Sequence, residues 1–596
     1  MLFFPLKKIR AGFGRSLIPL FPVLFFLLFT LAFPAAAAPG GVPREAFLSQ
    51  LLGARGFAGS AAVSSNVSAI LKSGIVTDEV SSLSAPVTRG QALRWMIQSL
   101  GLSAEAGFLS ELPLPFKDLK EMSAYDRGCL VVATHMDPPL FKKHSGDFAP
   151  GHLLTPNEVK SLMASVKRAD QHLRLEARFA PITGMELELH REGTFSGFPK
   201  WRVHVYGFDE KIEAEAEQQI FAEAGFSMEV KNPNYEWSLR NTELMEDYAQ
   251  VRQLSELAGK RGKAVYVFPS LMNENLENQP LYWALLTIDP SRYMIEPIIA
   301  PDGITALAPL SSMMKNSGVQ AALNAGFFAV SGRNAGSPIG TLQIARTLVN
   351  RPYKGRTSLG WSANNRATFG EVSWEGILRI EEGWMTVDSL NHAVKGNAVA
   401  LYNVWYGKPT PLSDAVTEAI VRGDRCVSIR FGGGTAIEPG SYVLAGYGTN
   451  ADLLTRYLKT GDAVHLESTF NGGNSPWDEM DNIIQAGPFL LRDGEIRIES
   501  EGFSSSILNL RHPRSAIGLT KKGKWIFFVG DGRNGLHSAG FTLQDMALIL
   551  RTKGVAWALN LDGGGSSQIM VKGKMYNLPS DGRERPLSYA VGARQR

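Results

Sequence analysis

Two aspartates stand where an apolar segment ends and glycine begins, a position at which a carboxylate can do chemistry. Asp531 follows residues 524–530 and precedes Gly532, and Asp562 follows residues 555–561 and precedes three glycines. Two facing carboxylates can act as general acid, general base or nucleophile at a sugar carbon, or they can bind a divalent cation. Because Asp-Gly is also a common tight turn, all three interpretations stay open at this point.

The glycines after the second aspartate predict an anion-binding loop. Successive backbone amides without side chains in the way can point at one anion, and the serine hydroxyls that follow can donate to it as well. A tight turn alone does not require three glycines and two serines. We therefore predict that this loop binds substrate through Gly563, Gly564, Gly565 and Ser566.

A basic segment supplies a third group of candidates. Arg511, His512 and Arg514 lie in the sequence Arg-His-Pro-Arg, ahead of the segment that leads to Asp531. A guanidinium can hold two oxygens of a phosphate diester, and an imidazole can move a proton near neutral pH. We predict that Arg511, Arg514 and Arg533 bind phosphate, with a basic surface loop as the alternative. The catalytic acid or base would be His512 or one of the two aspartates.

The residue pattern around these groups predicts the elements that position them. Residues 524–530 and 555–561 have the apolar runs of buried strands, and the stretch from Thr542 to Lys553 is an amphipathic helix ended by Gly554. Strand, helix and strand in this order predict a parallel crossover. Because the carboxyl ends of parallel strands lie at one edge of a sheet, we expect both aspartates to face one cleft.

A short internal repeat adds two asparagines to the candidate site. Residues 318–324 match residues 554–560 at five of seven positions, and each segment runs into a glycine turn. We predict that Asn324 and Asn560 occupy equivalent places and bind substrate. A chance match between two apolar strands is the alternative.

Together these segments resemble the phosphodiester glycosidase family. The segments that carry the resemblance are 323–328, 338–340, 485–488, 511–514, 530–533, 538–543, 560–567 and 584–586. The resemblance covers roughly residues 280–596, and it implies hydrolysis of the glycosidic bond of a sugar-1-phosphodiester with an N-acetylglucosamine-like sugar. One departure is residues 343–346, where the family often has a glycine-containing turn.

Two other classes of function stay open beside a glycosidase. One is a glycan-binding or polysaccharide-assembly protein without turnover, and the other is a metal-dependent phosphodiesterase that breaks the P–O bond. The sequence lacks a histidine-rich ligand cluster, so a zinc or two-metal site is not expected. We therefore expect no cofactor, although a single oxygen-bound Ca²⁺ or Mg²⁺ stays open.

Composition limits the overall organisation. The chain has 596 residues, of which 44% are hydrophobic and 20% charged, and this length predicts two to four globular domains. The formal net charge of +4 resides in residues 1–37, which hold four basic residues and no acid. The remainder is formally neutral and has no global electrostatic reason to bind nucleic acid. Cys129 and Cys426 cannot form a disulfide framework, and we expect two separate thiols.

Residues 1–37 predict a secretory signal peptide. A basic start is followed by the apolar residues 17–33 and by small residues around Ala37, as expected of a cleaved export signal. A permanent anchor helix is the alternative, but Pro19 and Pro22 would kink it. We expect the mature protein to be secreted or associated with the cell surface or envelope, without an integral membrane segment.

Residues 38–165 indicate short helices with two related segments. One contains Thr88 and Arg89, and the other contains residues 148–150 followed by Thr155; each threonine can cap a helix. These segments resemble S-layer homology modules, a resemblance that implies docking to cell-wall polysaccharide. A helical domain without a wall ligand is the alternative.

The rest of the chain divides into two parts. Residues 166–275 alternate strand and helix patterns, which predicts a small α/β or ferredoxin-like module; it resembles the SPOR domain, with a spacer domain as the alternative. Residues 276–596 predict the catalytic domain, with mixed sheets and several hairpins. We therefore expect an α+β fold.

Overall fold

The computed structural model describes residues 41–57, 63–78, 80, 82–143, 146–232, 237–270, 279–329, 336–381, 383–473 and 475–596. The predicted signal peptide, residues 1–37, lies outside them. In these ranges no helix combines the length and the apolar character needed to cross a membrane.

The N-terminal part is helical, and its two related segments are in contact. Its helices are α1 (Arg44–Ala54), α2 (Val63–Ser73), α3 (Arg89–Ser99), α4 (Ser103–Leu109), α5 (Ala124–His135) and α6 (Pro156–His172). Thr88 and Thr155 cap α3 and α6 as predicted, each through a reciprocal capping box. Arg89 donates to Glu158 across the two helices at 2.9 Å.

A β-hairpin follows these helices and joins the C-terminal half. Its strands are β2 (Arg174–Ile182) and β3 (Met185–Glu192), flanked by the short β1 (Met136–Asp137). Strand β3 pairs over its whole length with residues 281–288. The first part of the predicted 166–275 module therefore contributes to the same sheet as the candidate site.

Residues 200–270 form the expected ferredoxin-like module. Its elements are β4 (Lys200–Phe208), α7 (Lys211–Glu223), β5 (Met228–Lys231), β6 (Trp237–Asn241), α8 (Tyr248–Lys260) and β7 (Ala264–Ser270). The antiparallel strand order is β5-β6-β4-β7. The alternation of strand and helix patterns predicts the type of module but does not separate the short neighbouring strands β5 and β6.

The C-terminal half is mostly β-structure. Its first elements are β8 (Leu281–Ile288), β9 (Tyr293–Ile299), α9 (Leu310–Ser317), β10 (Ala321–Asn324), β11 (Leu342–Ile344), β12 (Thr347–Asn350), β13 (Thr357–Trp361), β14 (Ala367–Glu371), β15 (Ser373–Ile380), β16 (Gly383–Thr386), β17 (Ser389–Leu390) and β18 (Ala398–Asn403). The following elements are β19 (Val416–Arg422), β20 (Arg425–Phe431), β21 (Ser441–Tyr447), α10 (Thr449–Tyr457), β22 (His465–Asn471), β23 (Asn482–Gln485), β24 (Phe489–Arg492), β25 (Glu495–Ile496) and α11 (Ser505–Asn509). The last elements are β26 (Arg514–Thr520), β27 (Trp525–Gly530), α12 (Leu543–Thr552), β28 (Val555–Asn560), β29 (Ile569–Val571), β30 (Lys574–Met575) and β31 (Tyr589–Gln595). The combination of helices and several sheets confirms the α+β class.

The central sheet has the order β1-β2-β3-β8-β27-β26-β28-β24-β25. The predicted helix between two strands is present, but the predicted parallel pair is wrong, because β26 lies between β27 and β28 and pairs antiparallel with both. This sheet is therefore antiparallel, whereas the sheet of β17 to β21 is mixed as predicted, because β17 and β18 pair in parallel. Since β27 and β28 still run in the same direction, their carboxyl ends lie at the same edge, as expected.

The N-terminal helices and the central sheet share one core. Helix α12 covers one face of the sheet with Leu543, Met546 and Leu550. A continuous apolar cluster extends from Val42 to Ala593 and includes side chains of the N-terminal helices, of β8 and of β27. Cys129 and Cys426 are both buried and unbridged, which confirms the two separate thiols.

Candidate active site at one edge of the central sheet

Asp562 begins a loop that is hydrogen-bonded to the end of strand β10, which belongs to another sheet. Its amide donates to the carbonyl of Ala325 at 3.0 Å, and the side chain of Asn324 donates to its carbonyl at 2.7 Å. The Asn324 oxygen accepts from Ser515 and from the amide of Gln568. The predicted substrate ligand Asn324 is thus a buried group whose amide holds the loop in place.

The carboxyl group of Asp562 is suited to proton transfer. It accepts from the amide of Gly563 at 2.9 Å and from the hydroxyl of Ser566. Burial raises its pKa above the ordinary aspartate value, and Ser566 and Arg585 offset only part of that rise. A carboxyl group whose pKa lies closer to neutrality can both release and accept a proton.

An arginine that was not among the predicted site residues lies beside Ser566. Arg585 makes a two-point contact with Asp581, at 2.7 and 3.0 Å, and its third nitrogen lies 3.4 Å from the Ser566 hydroxyl. Gly565 leaves the room for this pair, because a Cβ there would overlap both charged groups. The sequence motif 584–586 had signalled the position, but only the fold shows what it contacts.

Arg533 approaches the glycine loop from the other strand end. A Cβ at Gly564 would lie 3.2 Å from an Arg533 nitrogen, so the missing side chain admits the guanidinium. Arg533 has φ +61°, and burial followed by nearby Arg585 lowers its pKa. Two guanidiniums so close to each other and to a raised-pKa acid form a site for an anionic oxygen group.

His512 holds Arg533 in place. Its Nε2 lies 3.2 Å from the carbonyl of Ser506, and its Nδ1 lies 3.3 Å from an Arg533 nitrogen. These partners assign the proton to Nε2 and make Nδ1 the acceptor. Burial, then Arg514 and Arg533, lower the pKa of His512. Its predicted role as acid or base stays a prediction, while its contacts favour orientation of Arg533.

The other two predicted phosphate ligands are engaged elsewhere. The buried Arg514 donates to the carbonyls of Phe541, Ile507 and Leu510. Arg511 donates to the carbonyl of Gly540 and forms an ion pair with Asp545 at 3.2 Å. Arg514 therefore has structural partners in place of a phosphate, and Arg511 is turned towards helix α12.

The glycine loop is less open than the sequence predicted. The amides of Gly563 and Gly564 donate to Asp562 and to the carbonyl of Pro513, and those of Ser566 and Ser567 close a tight turn. Within the part of the chain that the structure describes, only the amide of Gly565 in this loop has no acceptor. The loop thus supplies one free amide instead of a row of amides, and the Ser566 hydroxyl is engaged by Asp562 and Arg585.

Asp531 lies in the interior. Its carboxylate accepts from His537 at 2.9 Å, from Asn577 at 2.9 Å and from the amide of Leu578 at 2.7 Å, and its side chain is 1% exposed. His537 also forms an ion pair with Glu105 of α4 at 3.2 Å. These contacts give Asp531 a structural setting, and its predicted catalytic role stays a prediction.

Asn560 is also a structural neighbour of the site. Its side-chain amide donates to the carbonyl of Gly487 at 2.6 Å, and the residue is 2% exposed. The Gly487 amide donates back to the carbonyl of Asn560 at 2.9 Å. The two asparagines of the repeat are thus both buried strand ends, in different sheets.

The ferredoxin-like module touches the loop that carries Arg585. The guanidinium of Arg583 lies 4.5 Å from the ring centre of Tyr206 and 5.6 Å from that of Tyr266. Gly582 packs against Tyr266, where a Cβ would come within 3.0 Å. The module therefore supports the outer side of the candidate site.

Comparison with known proteins identifies the C-terminal part. The model of the phosphodiester glycosidase family matches residues 415–594. This match lies within the predicted catalytic domain, covers less than half of the chain, and confirms the resemblance to this family over that stretch. In the structure, β8 to β10 complete the sheets of this domain, because they pair with β27, β29 and β31.

Individual relatives match over short stretches. The chain is 29% identical over 140 residues to human N-acetylglucosamine-1-phosphodiester alpha-N-acetylglucosaminidase, which is 22% of this chain and 25% of that protein. It is 40% identical over 104 residues to the SPbeta prophage-derived uncharacterized protein YomE of Bacillus subtilis, which is 17% of this chain and 16% of that protein. The chain thus spans a quarter or less of these two relatives.

One solved structure matches most of the fold. A crystal structure from Burkholderia pseudomallei superposes with a TM-score of 0.53 at 19% identity. The match covers 71% of this chain and 96% of that chain, so the two proteins share a fold.

Proposed function

We propose that the protein is an exported glycosidase that hydrolyses a sugar-1-phosphodiester with an N-acetylglucosamine-like sugar, in glycopolymers of the cell envelope. The observation that carries this proposal is the contact of Asp562, Ser566 and Arg585, with Arg533 on the same glycine loop. The family of the domain and the name of the human relative support the same chemistry.

The residues divide the work as follows. Arg533, Arg585 and the free amide of Gly565 bind the phosphate oxygens, whose charge grows as the bond between the sugar carbon and the phosphate oxygen breaks. The phosphomonoester leaves with the bonding electrons, and the oxygen of water becomes attached to the sugar. Asp562 takes up the proton of that water or protonates the leaving oxygen.

The first test uses oxygen-18 water and an N-acetylglucosamine-1-phosphodiester with a methyl aglycone. We expect free N-acetylglucosamine and methyl phosphate, with no oxygen-18 in the phosphate product, because a glycosidase leaves the P–O bond intact. Label in the phosphate, together with loss of activity in chelator, would instead establish the metal-dependent phosphodiesterase. Binding without any product would establish a glycan-binding protein.

Gly565→Ala tests the arginine pair at the loop. The new methyl group would displace the pair of Asp581 and Arg585, and with it the contact between Arg585 and Ser566. The backbone itself accepts alanine, because Gly565 has no positive φ. We expect kcat/KM to fall roughly 10- to 100-fold, mainly through KM, which corresponds to losing about one charge-assisted hydrogen bond. Gly151→Ala, where a Cβ meets nothing within 4 Å, is the matched control, and equal kinetics of both variants would contradict the assignment.

Export and retention at the envelope belong to the same proposal and rest on residues 1–37 and on the resemblance of the N-terminal helices. The N-terminal helices share an apolar core with the catalytic part. A deletion of residues 40–165 would therefore also expose the core of the catalytic part, and it would not test wall binding alone. The better test is the mature N-terminus of extracellular protein, expected after Ala37, and retention of the intact protein on isolated walls in moderate salt. An uncleaved N-terminus or no wall retention would refute the respective part.

A further inference from the structure

Arg356, just before β13, is enclosed by aromatic rings. Its guanidinium carbon lies 4.3 Å from the ring centre of Phe503, 4.7 Å from that of Tyr353 and 5.3 Å from that of Phe327. Among the described residues no acceptor takes any of its N–H groups, and its Nε is buried without a partner. Burial lowers the pKa of Arg356, and Tyr353 and Glu501 offset part of that effect.

The nearby carboxylate of Glu501 does not satisfy this guanidinium. One Glu501 oxygen accepts from the hydroxyl of Thr357 and the amide of Phe489, and the other accepts from the amide of Thr357. Both oxygens of this carboxylate therefore already have donors, and neither accepts from Arg356. The buried Nε of Arg356 therefore stays without an acceptor, which costs free energy unless a ligand supplies one.

A second arginine in the chain shows how the fold satisfies a structural guanidinium. Residues 356–361 (Arg-Thr-Ser-Leu-Gly-Trp) and 514–519 (Arg-Ser-Ala-Ile-Gly-Leu) have the same pattern, and each leads a strand of the C-terminal half. Arg514 donates to three backbone carbonyls, whereas the guanidinium of Arg356 lies against three ring faces and donates to no carbonyl of the described residues. The rings cover the faces of the guanidinium and leave its in-plane N–H edge for an oxyanion.

Arg356 lies on the flank of the candidate active site. Its carbonyl accepts from the side chain of Gln485 at 2.9 Å, and a Cβ at Gly487 would lie 3.1 Å from the Phe503 ring. Gly487 exchanges two hydrogen bonds with Asn560, two residues before Asp562. Residues 485–487 therefore connect the backbone of Arg356 and the ring of Phe503 to Asn560, on a different side of the site from the two arginines at the glycine loop.

We propose that Arg356 and its aromatic rings form a second anion subsite, which binds an oxyanion group carried by the aglycone, beyond the phosphodiester that is cleaved. A phosphate or a carboxylate presents two oxygens to the guanidinium edge, and either fits. The proposal rests on the proposed function and names its substrate class as diesters with an acidic aglycone. Tyr353, which is 52% exposed, lies at the open side of the subsite.

The test compares three N-acetylglucosamine-1-phosphodiesters whose aglycones are a neutral methyl group, a phosphate-bearing alcohol and a carboxylate-bearing alcohol. We expect Arg356→Met to lower kcat/KM roughly 10- to 100-fold for the aglycone with the matching anion, and less than about twofold for methyl. Arg356→Lys keeps the charge but loses the two-point fork, and we expect an intermediate loss. The phosphate and carboxylate arms distinguish the two sources of the oxyanion.

Arg492→Met is the matched control, because the exposed Arg492 also stacks on a ring, that of Phe489, at 4.9 Å. We expect it to leave all three substrates unchanged. An equal loss on all three substrates in Arg356→Met, or no loss on any, would overturn the subsite. The thermal midpoint of Arg356→Met should stay close to that of the wild type, because Met packs among rings; a large fall would show that Arg356 is a structural group.

Calorimetric titration with the same three compounds separates this proposal from the proposed function. If the wild type cleaves none of them, the glycosidase proposal fails, and the subsite is decided by binding alone. Weaker binding of only the charged aglycones by Arg356→Met would support the subsite. Equal binding by the wild type and Arg356→Met, or no binding by the wild type, would overturn it.

Discussion

Replacing Asp562 by Asn is expected to lower turnover of the sugar-1-phosphodiester by about 10²- to 10⁴-fold, the usual contribution of a positioned acid or base. Asparagine has nearly the same shape and keeps an oxygen that can accept from the Gly563 amide. It cannot release or take up a proton. The loss should therefore appear in kcat, with KM changed little, because the guanidiniums of Arg533 and Arg585 still bind the phosphate.

The same substitution should not weaken the fold. Burial raises the pKa of Asp562, so the ionised form is less favourable in the folded protein than in the unfolded chain. Above the ordinary aspartate pKa, ionisation of this group therefore costs folding free energy. The neutral amide of Asp562→Asn would remove that cost, so we expect the urea midpoint at pH 7 to be unchanged or higher.

Asp531→Asn is the matched comparison, because this residue occupies the corresponding place after β27. Its carboxylate accepts from His537, Asn577 and Leu578. The substitution should therefore lower the free energy of unfolding. Turnover measured well below the unfolding temperature should change little. The opposite pattern, full activity in Asp562→Asn and none in a folded Asp531→Asn, would restore Asp531 as the catalytic residue and exclude our assignment.

The elements around the site could be predicted from the sequence, but their neighbours could not. The apolar runs and helical period gave β27, α12 and β28 within about two residues of their observed ends. Nothing in a strand–helix–strand pattern tells which strand lies between the two. The apolar segment of β26 takes that place through backbone hydrogen bonds to both, a pairing that depends on packing between distant segments.

The same difference between local signals and contacts of distant segments applies to the site residues. Asp562 and the glycines are candidates in the sequence because strand-end acids and glycine runs are local signals. The residue type of Arg514 shows a charge but not the three backbone carbonyls that the side chain contacts in the fold, so its role as a phosphate ligand stays a prediction. Arg585 was missed as a ligand for the converse reason, since only the folded loop shows that Gly565 makes room for it.

The burial of Asp531 depends on an N-terminal helix. Glu105 of α4 lies 3.2 Å from His537 and 3.2 Å from Arg191, and the side chains of all three residues are at most 4% exposed. His537 therefore stands as a cation between two buried carboxylates. Tyr282 packs on its ring at 4.6 Å, and Asn577 donates to Asp531 on the far side. This cluster joins the N-terminal helices to the edge of the central sheet.

Removing the central cation should be strongly destabilising. In His537→Ala, Asp531 and Glu105 would remain buried near each other without the charge that separates them, and breaking a buried pair in this way costs about 3–5 kcal/mol. The measurement is the free energy of unfolding in urea at pH 6. His152→Ala is the matched control, since His152 pairs with Glu158 at 3.1 Å but is 40% exposed, and we expect it to cost at most about 1 kcal/mol.

The pH dependence gives the sharper test of this cluster. Burial alone would lower the pKa of His537, but Glu105 and Asp531 outweigh it and raise the pKa to about 9, from 6.5 in an unfolded chain. Since the folded protein binds this proton more tightly, the stabilisation is complete below pH 6.5 and is lost as the pH rises through about 9. The shift corresponds to roughly 3 kcal/mol.

The difference in stability between the wild type and His537→Ala should therefore be largest at about pH 6 and should shrink towards pH 10. On the acid side, His537 outweighs the burial of Glu105 and lowers its pKa, so that part of the stabilisation is lost as the pH falls through the ordinary glutamate range. A difference that stays constant from pH 6 to pH 10 would mean that His537 is neutral in the folded protein and that shape alone holds α4 against β27. A difference that follows the pH would show that Asp531 serves as the anion of a buried clamp between the N-terminal helices and the central sheet.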